Sequence, residues 1–132
     1  MKRVIYTERK TFVKYDDSRY MVYLNEEVVE GYVPDTNEGE QAPEPVNGYA
    51  YTGPEADGGT LIDAVSADRD SLINGIIRSR YTQTEEDAIK THQIEVLRDG
   101  SIPKAEEYNA EWEAFNSFRT SAIAIVDRWL SD

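Results

Sequence analysis

A single histidine, His92, is the first place in this 132-residue chain where acid–base or metal chemistry could be sought. Helical periodicity puts it on one face with Ile89 and Val96. There a partly buried, hydrogen-bonded imidazole is the ordinary use of the residue, and a catalytic base or metal ligand the special one. A ligand role would need Asp or Glu brought in by tertiary contact, because neither His-Glu-x-x-His nor Glu-x-x-His occurs. Glu85, Glu86 and Asp87 are three carboxylates in a row that could hold a divalent ion, yet a place in a first helical turn already accounts for them. No Gly-x-Ser-x-Gly is present, so a serine nucleophile would depend on His92 acting from the inner face of a helix pair. The 26 acidic residues permit a carboxylate pair for glycoside cleavage without pointing to one. A hydrolase of that kind would need a deep pocket in which His92 meets at least two acids. Gly58-Gly59 is followed by no Lys-Ser/Thr and belongs to no Gly-x-Gly-x-x-Gly, so it is turn punctuation and not a phosphate cradle. The absence of cysteine excludes disulfides, thiolate zinc sites and cysteine nucleophiles. The residues predict a non-enzymatic protein with no catalytic residue, no metal and no cofactor.

The elements that must position these groups are helical in the second half of the chain. From Pro103 to Leu130, Tyr108, Trp112, Phe115, Ala122, Val126 and Trp129 recur at steps of three and four, with Phe118, Ile123 and Leu130 widening the stripe. Arg119 interrupts it, and Phe118 supplies the apolar group instead. Pro103 suits a first helical turn and Glu106 and Glu107 its positive end. Upstream, Leu72, Ile73, Ile76 and Ile77 predict a helix capped by Ser66 and ending near Tyr81, with Gly75 marking close approach to a neighbour. Thr84 opens the next helix in a capping-box-like pattern, and Gly100 is its expected C-cap. The short connection at Asp99-Gly100-Ser101 makes the last two helices an antiparallel hairpin whose seam sets Ile89, Val96 and Leu97 against Tyr108, Trp112 and Phe115.

The first half reads as strands. Phe12–Tyr15 and Tyr20–Leu24 flank an Asp16-Asp17-Ser18 turn, and a short connection at Asn25-Glu26 leads to Val28–Tyr32. Val4–Tyr6 pairs as a further strand or leads in as an arm. Residues 34–47, rich in proline and acid with almost nothing to bury, read as a solvated loop. Gly48–Thr52 and Thr60–Val65 return as strands. The expectation is an α+β chain: an N-terminal antiparallel β-meander over residues 1–65 that carries the acidic Pro/Gly loop, followed by a C-terminal three-helix segment over residues 66–132 with a long terminal amphipathic helix.

Charge is distributed unevenly. Residues 1–19 carry +3, residues 20–68 carry −11 without one basic side chain, and residues 69–132 carry −4, giving −12 in all. Direct nucleic-acid binding, which neutralises phosphates with Lys and Arg, is disfavoured over such a surface. No apolar run approaches the ~20 residues of a membrane span. The basic stretch Thr7-Glu8-Arg9-Lys10 follows the start too soon for a signal-peptide core, so a cytoplasmic or virion-associated location is expected and no membrane contact. Seven of the nine tyrosines lie between Tyr6 and Tyr51, where they suit a half-buried sheet and also interface anchoring. Together with the helix rings they make Trp112, Phe115, Phe118, Trp129, Tyr49 and Tyr51 the candidate contact surface for a protein partner or for self-association.

The run Ile77-Arg78-Ser79-Arg80-Tyr81-Thr82-Gln83-Thr84-Glu85-Glu86-Asp87-Ala88-Ile89, with the later series Tyr108, Trp112, Phe115, Arg119 and Ala122, resembles the C-terminal helical hairpin of small phage and prophage tail-associated proteins, the tail-fibre-assembly-like kind. The likeness covers residues 76–130 and implies a structural or assembly accessory protein acting through protein–protein interaction. An alternative rests on the acidic segment: a decoy or inhibitor presenting Asp35, Glu38, Glu40 and Glu44 to a basic nucleic-acid-binding protein of the host.

Overall fold

The computed structural model describes residues 1–36, 39–41 and 43–131. Six strands precede three helices: β1 (Lys2–Tyr6), β2 (Phe12–Lys14), β3 (Arg19–Val22), β4 (Glu27–Tyr32), β5 (Val46–Gly53), β6 (Thr60–Asp63), α1 (Arg69–Arg80), α2 (Gln83–Arg98) and α3 (Ala105–Leu130). The α+β class holds, with strands first and a long helix last. The chain divides into two compact units, Met1–Leu61 and Ile62–Asp132.

The strands form two sheets and not one meander, in the orders β1-β5-β4 and β2-β3-β6. The β2–β3 hairpin follows its turn chemistry. Asp16 Oδ1 accepts from the Ser18 amide at 3.0 Å, and the Arg19 guanidinium donates to Asp16 Oδ2 at 2.6 and 2.8 Å. Next, where a meander would fold β4 back onto β3, the chain changes sheet. Asn25 takes a left-handed conformation with φ of 58°, which its short amide side chain tolerates, and the Leu24 carbonyl accepts from the Thr52 amide at 3.3 Å. β4 therefore joins β5, with Val28 opposite Tyr49, while β1 pairs along the other edge of β5 from Lys2 opposite Gly53 to Tyr6 opposite Tyr49.

One core cluster of the strand unit is Met21, Tyr23 and Tyr51, with Tyr6, Tyr49 and Leu61 packed around it, and Val22 and Ala50 are buried as well. Its rings meet edge to face, Tyr23 to Tyr51 at 5.7 Å and Tyr6 to Tyr23 at 6.1 Å between centroids. Between β4 and β5 the described residues of the acidic segment carry no helix or strand up to Val46, as a chain with so little to bury requires.

In the helical unit α3 packs against both α1 and α2. Its 26 residues bury Phe115, Ala122, Val126 and Trp129, at intervals of seven, four and three, which is the stripe that the periodicity marks. The helix begins at Ala105, so Pro103 lies before its first turn. Gly75 is buried on α1. A Cβ there would sit 2.8 Å from the Asp63 carbonyl oxygen and 2.9 Å from Ile62 Cδ1, so only glycine lets the helix lie this close to its neighbour.

The helix caps lie slightly away from their expected places. Asp68, not Ser66, caps α1: its carboxylate accepts from the Ser71 amide at 2.9 Å, and Ser66 supports it by donating to the other oxygen. The box on α2 is built by Thr82 and not Thr84. The Glu85 amide donates to Thr82 Oγ1 and the Thr82 amide to Glu85 Oε1, both at 3.1 Å. At the other end Asp99 is the C-cap of α2, with its backbone extended at φ of −151°, and Gly100 is not left-handed. The Asp99 carboxylate instead accepts from the Ser101 amide and hydroxyl, at 3.0 and 2.6 Å.

Candidate functional site

The helical unit carries an open groove of about 410 Å³ lined by Tyr81, Glu85, Ala88, Ile89, His92, Glu111 and Ala114. Local rules place each residue. Tyr81 ends α1, Glu85 is fixed three residues into α2 by the capping box, and Ala88 and His92 follow one and two turns later on the same face. Across the hairpin, α3 supplies Glu111 and Ala114 three residues apart. Because Ala88 and Ala114 are small, the helices leave space between them along this side while Ile89 closes the floor.

His92 is half-buried in the wall of this groove. Its Nδ1 lies 3.0 Å from Glu111 Oε2, and its ring stacks on Tyr108 at 4.0 Å between centroids with the planes 8° apart. This is the hydrogen-bonded imidazole that its helical face suggests. The partners Glu111 and Tyr108 are not named by any motif. Their spacing of three puts Tyr108 and Glu111 on one face of α3, but which residue of α2 that face meets depends on the register of the hairpin.

The chemistry available here is narrow. His92 bonds one acid, and Glu85, the second carboxylate of the groove, gives Oε1 to the Thr82 amide. No serine, threonine or cysteine side chain lines the space. Glu85 belongs to the first turn of α2, and its own amide is taken by Thr82 Oγ1, whereas Ala88, His92, Glu111 and Ala114 lie in interior turns whose backbone N–H groups are spent within the helices. Among the described residues no group of three His, Asp or Glu side chains is arranged to hold a metal ion.

Glu86, read in the sequence as one more first-turn acid, turns out to be buried. Arg78 donates to its Oε1 at 2.8 Å and Lys90 to its Oε2 at 2.6 Å, tying the end of α1 to α2. Burial pushes its carboxyl up, and the hydrogen bonds from Lys90 and Arg78 more than offset this, so it stays below the usual glutamate value.

The six residues expected as a contact surface divide evenly. Tyr51, Phe115 and Trp129 are 0%, 1% and 6% exposed, so they belong to the interior and are not available to a partner. Their periodicity was that of the core stripe and of the central strand, which is why it marks burial and not exposure. Tyr49, Trp112 and Phe118 remain partly exposed. Phe118 approaches Tyr81, a lining residue of the groove, at 5.8 Å, and the Arg80 guanidinium lies 5.1 Å from the Phe118 ring centroid. Leu97, expected in the hairpin seam, is instead 76% exposed, while Ile89 is buried and Val96 half-buried.

In the strand unit the buried tyrosines are held by specific partners. The Tyr51 hydroxyl donates to Glu26 Oε1 at 2.7 Å and accepts from the Lys10 amide at 2.8 Å; Tyr23 donates to Asp57 Oδ2 at 2.8 Å and Tyr6 to the Asp57 carbonyl at 2.6 Å. Burial, then the hydrogen bond to Glu26, pushes the Tyr51 phenol up to about 12, and burial with Asp57 raises Tyr23 and Tyr6 as well. Such phenols stay protonated and serve as structural donors. Of the acidic-segment residues, Asp35, Glu40 and Glu44 are exposed between β4 and β5, and Glu38 lies outside the described residues.

Among the described residues no helix is long and apolar enough to cross a membrane. Comparison with protein-family models, with curated proteins and with solved structures returns no match.

Proposed function

We propose that this chain is a non-enzymatic accessory protein that binds another protein through its α2–α3 hairpin, in the manner of the phage and prophage tail-associated proteins that residues 76–130 resemble. The observation that supports this reading most is the groove itself: an open space lined by Ala88, Ile89 and Ala114 and by the Tyr81 ring, with no serine, threonine or cysteine in its lining. A lining of this kind accepts side chains from a partner, and the partly exposed Tyr81 and Phe118 offer anchors beside it.

The test is co-expression of the full chain with the products of its neighbouring genes, followed by size-exclusion chromatography with light scattering. A stoichiometric complex that Ala114→Trp dissolves supports the proposal, because Ala114 is exposed and the indole fills the groove without entering the core. A complex indifferent to Ala114→Trp overturns it. So does turnover of an ester, phosphoester or glycoside substrate that His92→Ala abolishes.

A further inference from the structure

We propose that the occupant of the α2–α3 groove is an arginine side chain carried by a basic segment of the protein partner, an inference that rests on the protein-binding reading above. The groove is lined by the apolar Ala88, Ile89 and Ala114 and by one carboxylate from each helix, Glu85 on α2 and Glu111 on α3. Glu111 uses Oε2 for His92 and keeps its other oxygen without a hydrogen bond among the described residues, while the Glu85 carboxylate is held by Thr82, whose amide donates to Oε1. Neither forms an ion pair with lysine or arginine among the described residues. Buried or bridging acids elsewhere in the same unit do: Glu86 has Arg78 and Lys90, and Asp127 has Arg69 at 2.6 Å.

The nearby cations are committed elsewhere. Arg80 lies over the rings of Tyr81 and Phe118, at 5.7 and 5.1 Å from their centroids, and Arg78 donates to Glu86, Gln83 and the Tyr81 carbonyl. The groove acids are thus left without a Lys or Arg counter-ion in a chain whose net charge of −12 already draws basic partners. Apolar lining and carboxylates together select a long side chain with an apolar stem and a cationic head. Arginine fits better than lysine, because its planar fork can meet a carboxylate while its face lies on an aromatic ring, as Arg80 already does at the rim.

The experiment uses the full chain, labelled with nitrogen-15, titrated with a short capped alanine peptide carrying arginine and with the same peptide carrying neutral citrulline. The expected result is saturable amide shifts centred on Glu85, Ala88, His92, Glu111 and Ala114 with the arginine peptide only. Glu111→Gln and Glu85→Gln should each weaken binding by up to about fivefold, the upper end for a partly exposed charge pair. Glutamine at position 85 can keep the capping box, so loss there reports charge and not a frayed helix. Shifts spread over the acidic residues 20–68, equal binding of the citrulline peptide, or unchanged affinity in Glu111→Gln overturns the inference. If Ala114→Trp dissolves the partner complex but the arginine peptide leaves the groove unshifted, the arginine assignment alone falls. If the peptide binds the groove while the partner complex survives Ala114→Trp, the protein-binding reading falls, and this inference falls with it.

Discussion

The strand unit and the helical unit solve the burial of polar groups in different ways. The strand unit buries phenols, and each hydroxyl reaches a carboxylate or a backbone group: Tyr51 to Glu26, Tyr23 and Tyr6 to Asp57. Around Leu72, Ile76, Phe115, Ala122 and Val126 the helical unit is aliphatic and aromatic, and its buried carboxylate, Glu86, is held by two cations. The strand unit too keeps a nearly buried carboxylate, Glu26, against Arg9 at 3.2 Å, so what sets it apart is its set of phenols with raised pKa. The two units should therefore fail at opposite ends of the pH scale and respond differently to the same type of substitution.

The largest effect expected is from Phe115→Ala, which empties a site 1% exposed and should cost the helical unit about 3–5 kcal/mol. Both tryptophans lie in that unit, so their fluorescence during urea unfolding measures the loss. Tyr51→Phe keeps the ring and removes only the hydroxyl that joins Glu26 to Lys10; it should cost the strand unit about 1–2 kcal/mol. If Tyr51→Phe proved as damaging as Phe115→Ala, the contrast between a bonded and a dry interior would be wrong.

The pH dependence sharpens the same contrast. Tyr51 is raised in the fold from 10.0 to about 12, so its contribution is complete below the ordinary phenol value and is lost as pH rises through about 12. Tyr23 and Tyr6 shift in the same direction. Glu86 is lowered, so its contribution is complete above the ordinary glutamate value and disappears as pH falls through the lower folded one. Alkaline titration should move tyrosinate absorbance and strand ellipticity first, and acid titration tryptophan fluorescence first. Glu86→Gln should weaken the acid response of the helical unit, to which Asp68, Glu85, Asp99 and Asp127, all held low by their hydrogen bonds, also contribute.

Smaller effects test the helix ends. Thr82→Ala removes half of a capping box and should lower stability by about 1 kcal/mol in thermal unfolding. Gly100→Ala should be neutral or stabilising by up to about 1 kcal/mol, because Gly100 is not left-handed and the nearest atom to an added Cβ is the Val96 carbonyl oxygen at 3.8 Å.

Which features could be read from the sequence follows from how local their causes are. The stripe of α3, the Asp16 turn and the close approach at Gly75 each depend on residues within a few turns or on one missing Cβ, and all three are present. The capping residues were harder. Thr82 with Glu85 and Thr84 with Asp87 have the same spacing of hydroxyl and acid, and only the true phase of α2 separates them. The division into two sheets was hidden because it turns on the backbone of Asn25 and on a partner for β1 that lies far along the chain. At the groove, a hydrogen-bonded His92 was legible from its helical face. Glu111 was not, because its place beside His92 depends on the register of the hairpin, which no single residue specifies. Nor could residue type separate rings that fill the interior, such as Phe115, from rings left at its edge, such as Phe118.

The pairing of Lys2 with Gly53 has a kinetic consequence. The sheet that contains it cannot gain its β1 rungs until the two ends of a long stretch of chain have met, and loop closure must precede any reward from those contacts. The α2–α3 hairpin closes through the short link after Asp99 and has no such wait. In a stopped-flow refolding experiment tryptophan emission should thus recover ahead of the β-sheet signal, and permuting the chain to join β1 directly to β5 should narrow the gap.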